Sequence, residues 1–157
     1  MAYISLVVIG LLSCVWIAWE DLKSRYIHIL PFLLLGISGA IYLYLSFPKE
    51  WYIYLLLNLG GVGILMLLLG LIYRWKGEKN ILDNKLGLGD IFMFGSLACW
   101  FMPKSFWSFF SLNMCVWAGV YGLLQITQFL PKNYPIPLAG LLAIGFMVYQ
   151  LGLMLLV

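Results

Sequence analysis

Apolar residues run along this chain in long blocks, and polar residues collect in short gaps between the blocks. A membrane-spanning helix needs about 20 mostly apolar residues, and six blocks meet or approach that length. They cover residues 2–19, 27–47, 51–73, 88–102, 106–130 and 136–157. The pattern predicts an all-α, polytopic membrane protein with six transmembrane helices, in which residues 1–157 form a single domain. The fourth block is the shortest and begins in a glycine-rich stretch.

Composition strengthens this prediction. Hydrophobic residues make up 64% of the 157 positions and charged residues only 10%, whereas a soluble domain carries about 25% charged residues. An ordinary soluble enzyme, a disordered chain and a nucleic-acid binder are therefore excluded, and a lipid bilayer is the expected surrounding. Cysteines and the single histidine, His28, show no metal-ligand spacing, so we expect no metal site.

Basic residues predict the orientation of the chain in the membrane. The first, third and fifth gaps hold seven of the nine lysines and arginines, and the second and fourth hold two. Because cytoplasmic loops are enriched in basic residues, the odd-numbered loops are predicted to be cytoplasmic and both termini to lie outside.

Among the six acidic residues, Glu20 and Asp21 directly follow the first block and Asp90 lies near the start of the fourth; Asp21 and Asp90 form the candidate pair. Between them the chain crosses the membrane twice, so both are predicted to reach the cytoplasmic face at similar depth. Carboxylates brought close together do not both ionise readily, so one keeps its proton. The charged member can draw a proton from water, and the neutral member can hydrogen-bond a scissile carbonyl. This is the chemistry of an aspartyl hydrolase.

Gly87 and Gly89 precede Asp90 directly. Glycine lacks a Cβ, so an extended peptide could approach the backbone closely there. The alternative is structural: the glycines form a flexible entry to a helix, and Asp90 is its N-cap.

Three stretches resemble the type IV prepilin peptidases and archaeal preflagellin peptidases, which are membrane aspartyl proteases of the GxGD type. They are residues 21–27 (DLKSRYI), 86–90 (LGLGD) and 136–145 (IPLAGLLAIG). Their order and spacing also agree with the family, and so does the predicted number of spans. The chain looks most similar to the minimal peptidases of tight-adherence pilus systems, because it lacks the zinc-binding, methyltransferase-associated region of longer members.

The resemblance implies that Asp21 and Asp90 are the catalytic pair and that no metal or organic cofactor is needed. It implies cleavage of a basic leader from prepilin-like precursors at the cytoplasmic face of the inner membrane. Residues that would bind substrate or shape the site are Gly87, Gly89, Lys23, Arg25 and Pro137. Lys23 and Arg25 have a second interpretation as cytoplasmic anchors of the first helix.

Some positions depart from the family pattern. His28 and Ile29 stand where proline and asparagine are usual, Phe92 replaces a lysine common in bacterial members, and Gly140 replaces a common proline. Two alternatives stay open. The first is a non-catalytic membrane subunit or small transporter that uses the aspartates as a proton relay. The second is a GxGD protease of the presenilin and signal-peptide-peptidase branch.

Overall fold

The computed structural model describes residues 2–24, 26–75, 87–128 and 136–155. Within these ranges all regular structure is helical, which confirms the all-α fold. The helices are α1 (Ala2–Lys23), α2 (Ile29–Ser46), α3 (Trp51–Trp75), α4 (Leu88–Ala98), α5 (Pro103–Ile126) and α6 (Leu138–Leu155). Each predicted block overlaps one of these helices, with ends that differ by up to four residues.

Five of the described helices, all except α4, are long and apolar enough to cross a membrane, as expected for a multi-pass membrane protein. Helix α4 has 11 residues and is therefore about 16 Å long, which is roughly half the thickness of a bilayer's hydrocarbon core. It ends four residues before the predicted block does, because Cys99 and Trp100 tighten into a turn on the carbonyls of Ser96 and Leu97. The fourth block thus forms a helix that is too short to span the membrane alone.

Helix α4 packs inside the bundle against α2, α3 and α6, and α1 packs against α2 and α6. Helices α3 and α5 bury little of their surface in the protein. Their exposed side chains are mostly large and apolar, which suits contact with lipid tails. The short helix α4 is therefore a central element, and α3 and α5 lie at the periphery.

Trp100, just after α4, is 3% exposed and fills the space between three helices. Its ring lies against Gly10 of α1 and Gly39 of α2, where an added Cβ would come within 3 Å of the indole. On the third side its centroid is 5.3 Å from that of Phe146 in α6. The indole Nε1–H donates to the Leu35 carbonyl at 2.8 Å. Two glycines thus provide the room that this large side chain needs.

Asn58 of α3 caps the inner end of α4. Its side chain is fully buried, and Nδ2 donates to the carbonyls of Ala98 at 2.9 Å and Phe101 at 2.8 Å. A helix that ends inside a bilayer exposes carbonyls that water cannot reach, at a cost of several kcal/mol for each unsatisfied group. Asn58 therefore allows α4 to end within the bundle.

Candidate active site

Asp21 belongs to the buried face of α1. The buried positions of this helix, Val7, Gly10, Cys14, Ile17 and Asp21, recur every three or four residues, as one face of an α-helix requires. The carboxylate thus continues an apolar stripe at the last turn of the helix, and Asp21 is only 8% exposed. A buried carboxylate needs hydrogen-bond donors.

Asp90 lies in the first turn of α4, three residues after the N-cap residue Gly87. Its Oδ2 accepts a hydrogen bond from the Gly87 amide at 3.2 Å, and its own amide donates to the Gly87 carbonyl at 3.0 Å. The alternative expectation that Asp90 is the N-cap is therefore wrong, because the carboxylate reaches back to the cap from inside the helix. This is the side-chain half of a capping box.

The first turn of α6 holds both carboxylates. Ala139 donates its amide to Asp90 Oδ1 at 2.9 Å, and Gly140 donates its amide to Asp21 Oδ2 at 2.6 Å. Amides in the first turn of a helix have no partner within the helix, and the helix dipole favours negative charge at this end. Because neighbouring amides hold the two carboxylates, Asp21 and Asp90 lie close together.

Close packing of α1 and α6 depends on the small size of Gly140. A Cβ at this position would lie 3.1 Å from Asp21 Oδ2 and 3.2 Å from the Asp21 Cβ. Both distances leave little room, so glycine lets the amide approach the carboxylate directly. The glycine at position 140 thus combines an available N–H with the absence of a side chain.

The two glycines before Asp90 have different surroundings. Gly87 is exposed, and a Cβ there would meet only atoms of its own turn at ordinary contact distances. Gly89 faces α2, where a Cβ would come within 3.3 Å of Ile27 Cδ1. Open space beside the carboxylate is therefore found at Gly87, whereas Gly89 serves helix packing.

Three other predicted site residues have distinct positions. Lys23 places its ammonium 5.6 Å from the centre of the Trp19 ring. Pro137 is buried directly before α6, and its carbonyl accepts the Leu141 amide at 3.1 Å. Arg25 lies outside the described residues. Pro137 therefore belongs to the start of the helix that holds both aspartates.

A polar cluster beside the pair was missed by the sequence analysis. Glu20 accepts hydrogen bonds from Trp16 Nε1 at 2.7 Å and from the His28 amide at 2.8 Å. Its Oε1 also lies 2.8 Å from His28 Nδ1. The Trp16–Glu20 spacing of four residues was a visible signal, since such residues neighbour each other on a helix. The cluster ties the end of α1 to the start of α2 and so supports the turn that presents Asp21.

Chemically, the site is a pair of carboxylates at the end of a helix bundle. Within the four described ranges, no group of three or more histidine, cysteine, aspartate or glutamate side chains is placed to hold a metal ion. Two adjacent carboxylates can share one proton and can act together as general acid and general base.

No protein-family model, curated protein or solved structure matches this chain. The similarity to the GxGD peptidases therefore rests on the three sequence stretches named above. Asp21 comes from the first stretch, Gly87 and Asp90 from the second, and Ala139 and Gly140 from the third.

Proposed function

We propose that this protein is a membrane aspartyl endopeptidase of the prepilin-peptidase type, with Asp21 and Asp90 as its catalytic pair. One observation carries the proposal: neighbouring amides of α6 hold the carboxylates of α1 and α4 side by side. A pair with only a structural role would need neither a buried acid beside a half-buried one nor a common point of attachment. Burying two like charges together is costly, and such an arrangement is typical of functional sites.

Hydrolysis follows from the shared proton. The ionised carboxylate removes a proton from water while the water oxygen attacks the peptide carbonyl carbon. The protonated carboxyl donates its proton to the carbonyl oxygen, which gives a neutral tetrahedral intermediate. The carboxyl that received the water proton then donates it to the amide nitrogen, while the other carboxylate removes the proton of one hydroxyl of the intermediate. The C–N bond breaks, the amine leaves, and the pair is again singly protonated. The pair titrates as a unit, so neither aspartate is assigned permanently as the acid.

The substrate class follows from the resemblance and from the environment of the site. A peptide must be extended to be cleaved, and the exposed backbone at Gly87 offers it an approach beside Asp90. We propose prepilin-like precursors, with a basic leader before an apolar helix that enters the bilayer beside the enzyme. The basic-residue distribution supports cleavage at the cytoplasmic face of the inner membrane.

The test is precursor cleavage by purified protein in lipid vesicles, using a prepilin-like precursor encoded near this protein's gene. Asp21→Asn and Asp90→Asn should each abolish cleavage while the protein still accumulates in the membrane. Asn cannot exchange a proton as a carboxylate does, yet it keeps the size of the side chain. Glu50→Gln is the matched control, since Glu50 is exposed and accepts a hydrogen bond from Tyr54 in its own helical turn.

Full activity in either aspartate variant would contradict the catalytic pair. Proton or ion flux across the vesicles without peptide cleavage would instead favour the transporter hypothesis. In that case Asp21→Asn and Asp90→Asn should abolish flux.

A further inference from the structure

The hydrogen bond from the Gly140 amide to Asp21 depends on which residue occupies position 140. Its 2.6 Å length is short for an N–H···O hydrogen bond, and the acceptor carboxylate is buried. A proline at this position would have no backbone N–H to donate. Asp21 could not receive this hydrogen bond from such a residue.

We infer that Gly140 is a positioning residue for the catalytic pair, an inference that rests on the proposed function. Its N–H holds Asp21 Oδ2 while the neighbouring N–H of Ala139 holds Asp90 Oδ1. Both donors belong to one helical turn, whose geometry sets the distance between them. The first turn of α6 therefore sets the spacing of two carboxylates that arrive on separate helices.

The space around position 140 also restricts the residue that can stand there. Alanine at position 140 would add a Cβ 3.1 Å from Asp21 Oδ2 but would keep the amide. Proline would add similar bulk and remove the amide as well, and the first turn of a helix is where proline is tolerated best. Comparing the two variants separates the hydrogen bond from the added volume.

The kinetic test measures kcat and KM for precursor cleavage by wild type, Gly140→Ala and Gly140→Pro in vesicles. A hydrogen bond to a charged group contributes enough that its loss should lower kcat roughly ten- to a hundredfold in Gly140→Pro relative to Gly140→Ala. KM should be similar in both variants, because the amide touches Asp21 and not the substrate. Equal kcat values in the two variants would overturn the positioning role.

A spectroscopic test measures the contact in protein whose α6 is unchanged and uses an α6 variant only to assign the resonance. In protein labelled with ¹⁵N-glycine and ¹⁵N-alanine, Gly140→Ala identifies the Gly140 resonance by its disappearance from the spectrum. The Gly140 amide proton should lie downfield of the other helical glycines and should move upfield in Asp21→Asn. The Ala139 amide should respond to Asp90→Asn instead. A Gly140 amide that does not respond to Asp21→Asn would overturn the inference.

The two proposals fail in different ways. If wild type cleaves the precursor and both aspartates are needed, an unresponsive Gly140 amide overturns only the inference. If wild type cleaves nothing, the proposed function fails and the catalytic role of Gly140 with it, even when the amide responds to Asp21→Asn.

Discussion

Asp21 and Asp90 reach the same point by different local routes. Asp21 follows the buried stripe of α1 to its last turn, whereas Asp90 folds back on Gly87 at the first turn of α4. Each carboxylate also accepts a hydrogen bond from a backbone amide of α6. Hydrogen bonds from two segments hold Asp90, and this arrangement limits the rotation of its side chain.

Both aspartates could be identified from the sequence because acidic residues are rare in this chain and these two lie at the edges of apolar blocks. The backbone amides that donate hydrogen bonds to them could not be identified from the sequence. A backbone N–H has no signature in residue type, so Ala139 and Gly140 became visible only when the helix start was placed against both acids. Asp90 as a capping-box residue was also missed, because an aspartate after two glycines fits an N-cap equally well.

The capping of α4 by Asn58 can be tested by replacing this single residue. Asn58→Leu should destabilise the protein by about 1–2 kcal/mol, because the carbonyls of Ala98 and Phe101 lose a donor that water cannot replace. The midpoint of thermal unfolding in detergent micelles measures the loss. Asn113→Leu is the control, since among the described residues the Asn113 amide donates to Phe109 of its own helix and to no other helix. Equal effects in both variants would contradict the capping role of Asn58.

At the scale of elements, the apolar blocks predicted the helices well. Block length follows from bilayer thickness, so the number of helices and most of their ends could be deduced from hydropathy alone. The ends of α1, α4 and α5 each lie four residues from the ends of their blocks, and the difference matters most for α4. Its early end depends on a turn at Cys99 and Trp100 and on a cap from a different helix. These contacts join residues far apart in the sequence, and one sequence does not reveal them.

Trp100 and its glycine neighbours allow a comparison in which two similar substitutions have opposite effects. Gly39→Ala should destabilise the protein by about 1–3 kcal/mol, because the new methyl group collides with the Trp100 indole. Gly63→Ala should be neutral or stabilising by about 0.5–1 kcal/mol, since alanine favours helix and no atom of the described residues lies within 4 Å of the added Cβ.

Thermal unfolding of both variants in the same micelles checks this expectation. Because both substitutions replace a helical glycine by alanine, differences in helix propensity cancel. A Gly39→Ala protein as stable as Gly63→Ala would contradict the packing of Trp100 against α2.

At the scale of the whole molecule, the described helices form a bundle with the aspartate pair at one end and the α4 cap in its interior. The positive-inside rule places the aspartate end at the cytoplasmic face. Two of the basic loops behind this prediction, residues 76–86 and 129–135, lie outside the described residues, so the orientation stays a prediction from charge.

Cysteine labelling in intact cells and in inverted vesicles tests the orientation. Lys23→Cys should react with a membrane-impermeant reagent from the cytoplasmic side, and Lys104→Cys from the opposite side. The background is a variant in which Cys14, Cys99 and Cys115 are replaced by serine or alanine. Reaction of both introduced cysteines from the same side would contradict the predicted topology.

The position of Trp100 also has a mechanical consequence. Its indole is enclosed by Gly10, Gly39 and Phe146 on three helices and anchored to Leu35. This side chain resists sliding of α1, α2 and α6 along one another, because sliding would force the ring against the backbone of Gly10 or Gly39. Movements that widen the gap between the aspartates are therefore limited to small tilts of the helices, with this tryptophan as their pivot.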